Sequence, residues 1–416
     1  MNKTPQELYQ EREKRVLDAI ALKKPDRVPI FSRFSFFSPK YAGMTIEEVM
    51  YDPEKLWKAF WKTMIEFEPD MDRNPFALLF IGPILEALDY RQLKWPGHGV
   101  SSNVSYQFVE GEYMKADEYD ALLADPTDFM LRRYWPRVFG ALKGFEKLPP
   151  IRDMITYSMG VSFGFGIFND PEVMAALDAL KKAGEKSAQI AYYARLFSGK
   201  AKEAGFPLQS GSMSQAPFDT LGDYFRGMKG SMLDMYRRPD KVVKACEKLL
   251  PIMLEMALSA SKTSGNPRVF IPIHKGIDGF MSEDQFKKFF WPTLRDLMIA
   301  LINEGLTPCP FWEGNCTSRL EIIKDIPAGK ACYAFESTDI FKAKEILGNT
   351  VCIQGSVPLS LLSTGTTDDV KAYCKKLIDV VGKDGGYIMD SAAGVEDAKP
   401  ENVKAMFEFT KEYGVY

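Results

Sequence analysis

Pro308-Cys309-Pro310-Phe311-Trp312-Glu313-Gly314-Asn315-Cys316 is an apolar run that stops abruptly at a carboxylate, a glycine, an amide and a thiol. It reads as a buried strand, and in parallel α/β proteins the side chains at the carboxyl ends of strands are where ligands meet chemistry. The same unit recurs outward from it. Upstream, residues 207–213 are strand-like and precede helical patterns near 219–235 and 239–264, and residues 268–274 precede another at 282–304. Downstream, strand-like 331–336, 351–356 and 386–390 alternate with helical patterns near 317–325, 339–346, 367–382 and 400–412. Short apolar runs alternating with amphipathic helices predict βαβ units and a parallel sheet. The N-terminus adds one more unit. A helix over about the first 25 residues, capped at Thr4-Pro5-Gln6-Glu7, leads into a strand at 26–31 and a helical region at 45–66.

Seven such units predict an α/β fold, a closed (β/α)8 TIM barrel with an N-terminal helical extension and helical insertions. The expectation is a single barrel domain over 1–416 with divergent insertions at about 90–205. Within them, the run Gly160–Gly166 lacks a GxGxxG pattern and reads as an aromatic loop or lid rather than a nucleotide site.

Composition narrows the function. Apolar residues make up 46% and charged ones 26%, an ordinary globular balance, and a net charge of −3 gives no electrostatic case for nucleic acid or membrane partners. Apolar runs fall short of a membrane span of about 20 residues. The start, MNKTPQELYQEREKR, has no apolar signal region, and six cysteines without a CxxC suit a reduced, cytoplasmic protein. The two histidines, His98 and His274, leave carboxylates and thiols to carry most acid–base or metal work. With 29 Phe, 20 Met, 18 Tyr and 6 Trp, a pocket for a flat apolar ligand is plausible beside a large core.

Several segments together resemble the uroporphyrinogen decarboxylase superfamily, especially its corrinoid-dependent methyltransferase branch. They are Arg27-Val28-Pro29, Gly314-Asn315, Asp339-Ile340-Phe341-Lys342-Ala343-Lys344, Gly355-Ser356-Val357-Pro358 and Lys399-Pro400-Glu401-Asn402-Val403-Lys404-Ala405-Met406. The resemblance spans residues 10–60 and 206–412 and implies a (β/α)8 barrel with its site at the carboxyl face. The decarboxylases of the family carry an Arg-Gln-Ala-Gly-Arg stretch after the first strand that grips a polyanionic substrate. Here that position reads Ser32-Arg33-Phe34-Ser35-Phe36-Phe37-Ser38, one arginine among aromatics. A polyanion needs several cations to offset its desolvation, so this segment fits an aromatic or weakly charged substrate better. Thiol-directed methyltransferases of the family bind zinc through His-x-Cys and a late Cys. The resemblance places Phe311, Glu313 and Ala393 on those ligands, so the thiol-activating zinc set is altered at all three.

What remains at the strand ends is His274, Glu313, Asn315, Cys316, Glu336, Gln354 and Asp390. Methyl ethers need a Lewis or general acid on oxygen while the methyl group leaves to cob(I)alamin. The expectation is thus an O-demethylase-type methyltransferase with Glu313, His274 and Asp390 in catalytic roles. Arg33, Phe34, Phe36, Trp312, Asn315, Gln354, Asp223 and Arg226 are the expected substrate contacts. Any metal, zinc above all, would draw on Glu313, Cys316 and His274. The chain has no Asp-x-His-x-x-Gly signature, so the cobalamin is expected on a separate corrinoid protein, and family barrels often form homodimers. A decarboxylase or lyase acting on a small acid, or a barrel that only binds, are the alternatives. Glu313 also reads as a helix cap, Cys316 as a packed small residue and His274 as a hydrogen-bonded structural histidine.

Overall fold

The computed structural model describes residues 3–154, 161 and 164–416, so part of the Gly160–Gly166 run read as a lid lies outside the described residues. Helix α1 (Pro5–Ile20) starts from the capping box that Thr4 and Glu7 form. The helical region at 45–66 is two helices, α2 (Ile46–Tyr51) and α3 (Pro53–Phe67). Pro53 disfavours helical geometry at Asp52, whose side chain caps the second helix instead.

The 90–205 segment opens with a small sheet of β1 (Leu93–Pro96), β2 (Gly99–Val100) and β3 (Gln107–Phe108) and closes with the 33-residue helix α4 (Pro171–Glu203). The regular part follows: β4 (Ser212–Met213), α5 (Pro239–Ser264), β5 (Arg268–Ile273), α6 (Trp291–Asn303), β6 (Thr307–Trp312), β7 (Cys332–Phe335), α7 (Ile340–Leu347), β8 (Cys352–Gln354), α8 (Thr367–Leu377), β9 (Tyr387–Ile388) and α9 (Pro400–Tyr413). Strands β4 to β9 lie side by side in sequence order, all parallel.

The ring closes through single parallel bridges. Ile30 pairs with Met389, Phe31 with Met71, and Asp72 with Leu208. The Phe31 amide donates to Met389 O at 2.9 Å, and the Asp72 amide to Pro207 O at 3.1 Å. Residues 30–31 and 71–72 are therefore the first and second strands of an eight-stranded (β/α)8 barrel. The second strand is absent from the sequence expectation, because acids flank its one apolar residue in Asp70-Met71-Asp72.

Alternation along the strands sorts the side chains. Cys309 joins Phe31, Met71, Cys332, Cys352 and Ile388 in a cluster inside the barrel, closed from below by Val16, Ala19 and Ile20 of α1. Phe311 lies one layer higher, its ring stacked with that of Phe270. Trp312 faces the other way, against Phe286 and Tyr333. The prolines of β6 leave a mark too. Thr307 and Glu313 donate to the β5 side, so Pro308 and Pro310 occupy positions whose missing N–H groups would face β7. Accordingly β6 pairs with β5 over six residues and with β7 over two.

Buried Asp70 ties α1 to the barrel. It accepts from Arg15 at 2.5 Å, from Arg27 at 2.7 and 2.8 Å, and from the Ile30 amide at 2.8 Å. Removing one partner of such a cluster costs on the order of 3–5 kcal/mol. Among the described residues, no helix is long and apolar enough to cross a membrane.

Candidate active site

The inner alternation continues past the strand ends, so β5 delivers His274, β6 delivers Glu313 and β7 delivers Glu336 to the carboxyl face. The His274 Nδ1 lies 2.6 Å from Asp223 Oδ2, and its Nε2 lies 3.4 Å from Glu313 Oε2. Asp219 fixes the backbone beneath, accepting the His274 and Lys275 amides at 3.0 and 2.8 Å. The Lys275 Nζ donates to the other Asp223 oxygen at 2.5 Å. The imidazole and Glu313 stay open to the mouth, with 32% and 39% of their side chains exposed.

These contacts set the charges. Burial disfavours a charged His274, but the hydrogen bond to Asp223 and the fields of Asp219, Asp223 and Glu313 outweigh it, and its pKa is pushed up to about 9. Asp219 is pushed up to about 7, by burial first and then by the neighbouring Asp223 charge. Burial also raises Asp223, yet His274 and Lys275 together hold it below the ordinary carboxylate range. Glu336 is raised by burial and by Glu313. The mouth thus holds an imidazolium at neutral pH, flanked by carboxylates.

Beneath this rim lies a layer of rings and guanidinium groups. Arg33 stacks on Phe311 at 4.0 Å, and Arg73 on Phe270 at 5.0 Å. Arg33 is held by Asp390, through Nε at 3.1 Å and Nη2 at 2.5 Å. Tyr106, carried over the mouth by the loop before β3, meets Phe36 edge-on at 5.4 Å. Burial, then the field of Glu396, raises the Tyr106 phenol. An open groove of about 710 Å³ includes Glu336 and runs along Ser337, Thr338, Asp339, Ser356 and Tyr373.

The structure brings His274, Glu313, Arg33 and Phe36 to this region and sends other expected residues elsewhere. Asp390 is fully buried: Oδ2 accepts from Arg33 and Gln354, and Oδ1 from the Ser391 amide at 2.7 Å. Neither oxygen is left to exchange a proton with a substrate, so Asp390 positions Arg33. Gln354 lines the barrel, spending its Nε2 on Asp390 at 2.8 Å. Asp223 has both oxygens engaged and orients His274 rather than meeting a ligand. Phe34 and Trp312 are corrected as well. Each is one residue out of inward register, and both are core, Phe34 among Phe37, Phe67 and Phe407. Arg226 is buried in a separate network with Asp234, Glu112 and the Met114 carbonyl. Asn315 is exposed but spends its carboxamide oxygen capping Thr317, at 3.0 and 2.6 Å.

A zinc ion does not fit this donor set. The Cys316 thiol is fully buried, lies 3.2 Å from the Thr338 hydroxyl, and is pushed up to about 12 by burial. Among the described residues, no three His, Cys, Asp or Glu side chains converge to hold a metal. Arg73 and Tyr106 were missed by sequence reasoning. Arg73 ends the strand that the sequence hides, and Tyr106 belongs to the insertion, so neither carried a periodic signal.

Comparison with known proteins agrees with this architecture. Residues 154–413 match the family described as uroporphyrinogen decarboxylase (URO-D). Curated relatives include the uroporphyrinogen decarboxylase of Chlorobium phaeobacteroides, 26% identical over 186 residues (44% of this chain and 52% of that protein). That of Chlorobium phaeovibrioides is 28% identical over 179 residues (39% and 50%). The chain thus spans about half the length of the curated relatives it matches. A solved methyltransferase from Methanosarcina mazei superposes with a TM-score of 0.61 over 97% of this chain and 98% of that one, at 17% identity, which is a likeness of fold.

Proposed function

This chain belongs to the uroporphyrinogen decarboxylase family, and from that premise we propose that it moves a methyl group from a small methoxylated aromatic substrate to the cob(I)alamin of a separate corrinoid protein. The observation that carries the reading is His274, held charged at the mouth between Asp223 and Glu313. Breaking an aryl methyl ether leaves the bond's electron pair on oxygen, as a phenolate whose conjugate acid has a pKa of about 10. An imidazolium of pKa about 9 is matched to give that oxygen its proton. Nε2–H makes the transfer. Asp223 fixes the ring through Nδ1, and Glu313 holds Nε2 until the substrate oxygen takes its place. Arg33, Phe311, Phe270 and Phe36 supply a flat, largely apolar surface for the ring. The reduced corrinoid supplies the nucleophile that accepts the methyl group, and this chain's part is to leave its mouth open to such a partner.

The test uses the purified chain, free cob(I)alamin and a panel of methoxylated aromatics, following phenol release and the corrinoid spectrum. Turnover that depends on His274 is the expected result, and none across a broad panel sinks the reading. Decarboxylation of a small acid, with His274 protonating the carbanion, is the second reading, favoured by the relatives' own activity. Carbon dioxide release without any corrinoid would select it.

A further inference from the structure

Arg33 and Arg73 flank the same Phe31 ring, at 5.4 and 5.6 Å, yet they are wired differently. Arg33 is neutralised by Asp390. No carboxylate accepts a hydrogen bond from the Arg73 side chain among the described residues. Its Nε donates to the neutral carboxamide of Gln209 at 3.0 Å, and its buried Nη2 has no acceptor there. Adjacent Asp72 does not supply one, because its Oδ1 takes the backbone amide of Arg73 at 2.7 Å and its Oδ2 is itself unpartnered. A half-buried guanidinium with an unsatisfied N–H edge and no hydrogen-bonded carboxylate is costly to keep, and a ligand acceptor would complete it.

Resting on the methyl-transfer reading above, we propose that Arg73 anchors a carboxylate of the substrate, so that the ligand is a flat, methylated monoacid. A guanidinium edge matches a planar pair of oxygens. A carboxylate on an aryl ring brings a flat face to Phe270 and Phe311, whose rings stack at 6.5 Å. One negative charge suits the place better than two, since Asp72, Asp390 and Glu313 all bear on Arg73. The acid end then rests on the second strand, and the methoxy end reaches His274 and Glu313 across the mouth.

Binding of para-methoxybenzoate and its neutral isostere para-methoxybenzamide, measured by calorimetry on wild type, Arg73→Gln and Arg73→Lys, tests this. Wild type is expected to prefer the acid by about 10- to 100-fold, the worth of a hydrogen bond to a charged group. Arg73→Gln should erase that preference by weakening acid binding far more than amide binding, while Arg73→Lys keeps part of it. Equal binding of acid and amide by wild type, no binding of either at millimolar concentration, or a preference that survives Arg73→Gln would overturn the proposal. The wild-type comparison stands even if a variant fails to fold. Selective acid binding without methyl transfer would uphold the Arg73 anchor and sink the methyl-transfer reading. Turnover of neutral methoxyarenes without any preference for acids would do the reverse.

Discussion

On the methyl-transfer reading His274 is the proton donor, and its charge makes that step pH-dependent in a definite direction. The imidazolium persists to about pH 9, so a step that needs its proton holds its rate through neutral pH and declines as pH passes about 9. His274→Gln should lower kcat by roughly 10²- to 10⁴-fold and remove that alkaline limb. An unchanged pH–rate profile in the variant would show that another group gives the proton. Stability follows the same linkage. A histidine whose folded pKa is raised stabilises fully below its ordinary value of 6.5, and that contribution is lost as pH rises through about 9. Asp219 acts over a lower window: with a folded pKa of about 7 against 3.8, its contribution falls as pH rises from 3.8 to about 7, so the fall above that comes from His274. Thermal denaturation should therefore show Tm falling between pH 6.5 and 9, with a shallower fall in His274→Gln.

Elements decide which residues reach the mouth, and one glycine controls the most important of them. Gly314 follows Glu313 at a φ of +123°, a conformation that side chains rarely adopt, and a Cβ there would come within 2.9 Å of the Ile277 side chain. Gly314→Ala should swing Glu313 off its 3.4 Å approach to His274. The expected outcome is a loss in kcat of at least about tenfold for a stability cost of only about 1–3 kcal/mol. Parallel loss of Tm and activity would instead make this a general folding defect. Seven strands were legible in the sequence because each joins an apolar run to an amphipathic helix, and His274 and Glu313 were legible because each ends such a run. The face of a strand was not. Reading Phe34 and Trp312 as ligand contacts was a one-residue slip, which in a period-two element exchanges inside for outside. Nor was the second strand legible, because Asp70 and Asp72 look like loop residues until Arg15 and Arg27 are seen to hold Asp70. With that strand went Arg73.

Across the whole molecule the barrel is closed, but unevenly. Strands β5 and β6 share six register pairs, whereas residues 30–31 and 71–72 are joined to their neighbours by single bridges. Asp70 pins the lower end of this seam through two arginines and the Ile30 amide. Its upper end has only bonds such as Ser32 N to Met71 O at 3.3 Å and Gln209 N to Asp72 O at 2.8 Å. Local opening follows thin hydrogen bonding, so the upper seam is the part of the barrel most able to part. Arg33 and Arg73 both hang from it, which places both guanidinium groups on the least braced strands. A ligand acid bonded to Arg73 would then tighten the barrel as well as occupy it. In native-state hydrogen exchange, the amides of Ser32 and Gln209 should exchange before those of β5. A bound aromatic acid should slow them more than any amide of β5 or β6. Uniform protection around the ring in the free protein, or a ligand effect spread evenly over all eight strands, would show that the seam is no weaker than the rest and that substrate binding does not act through it.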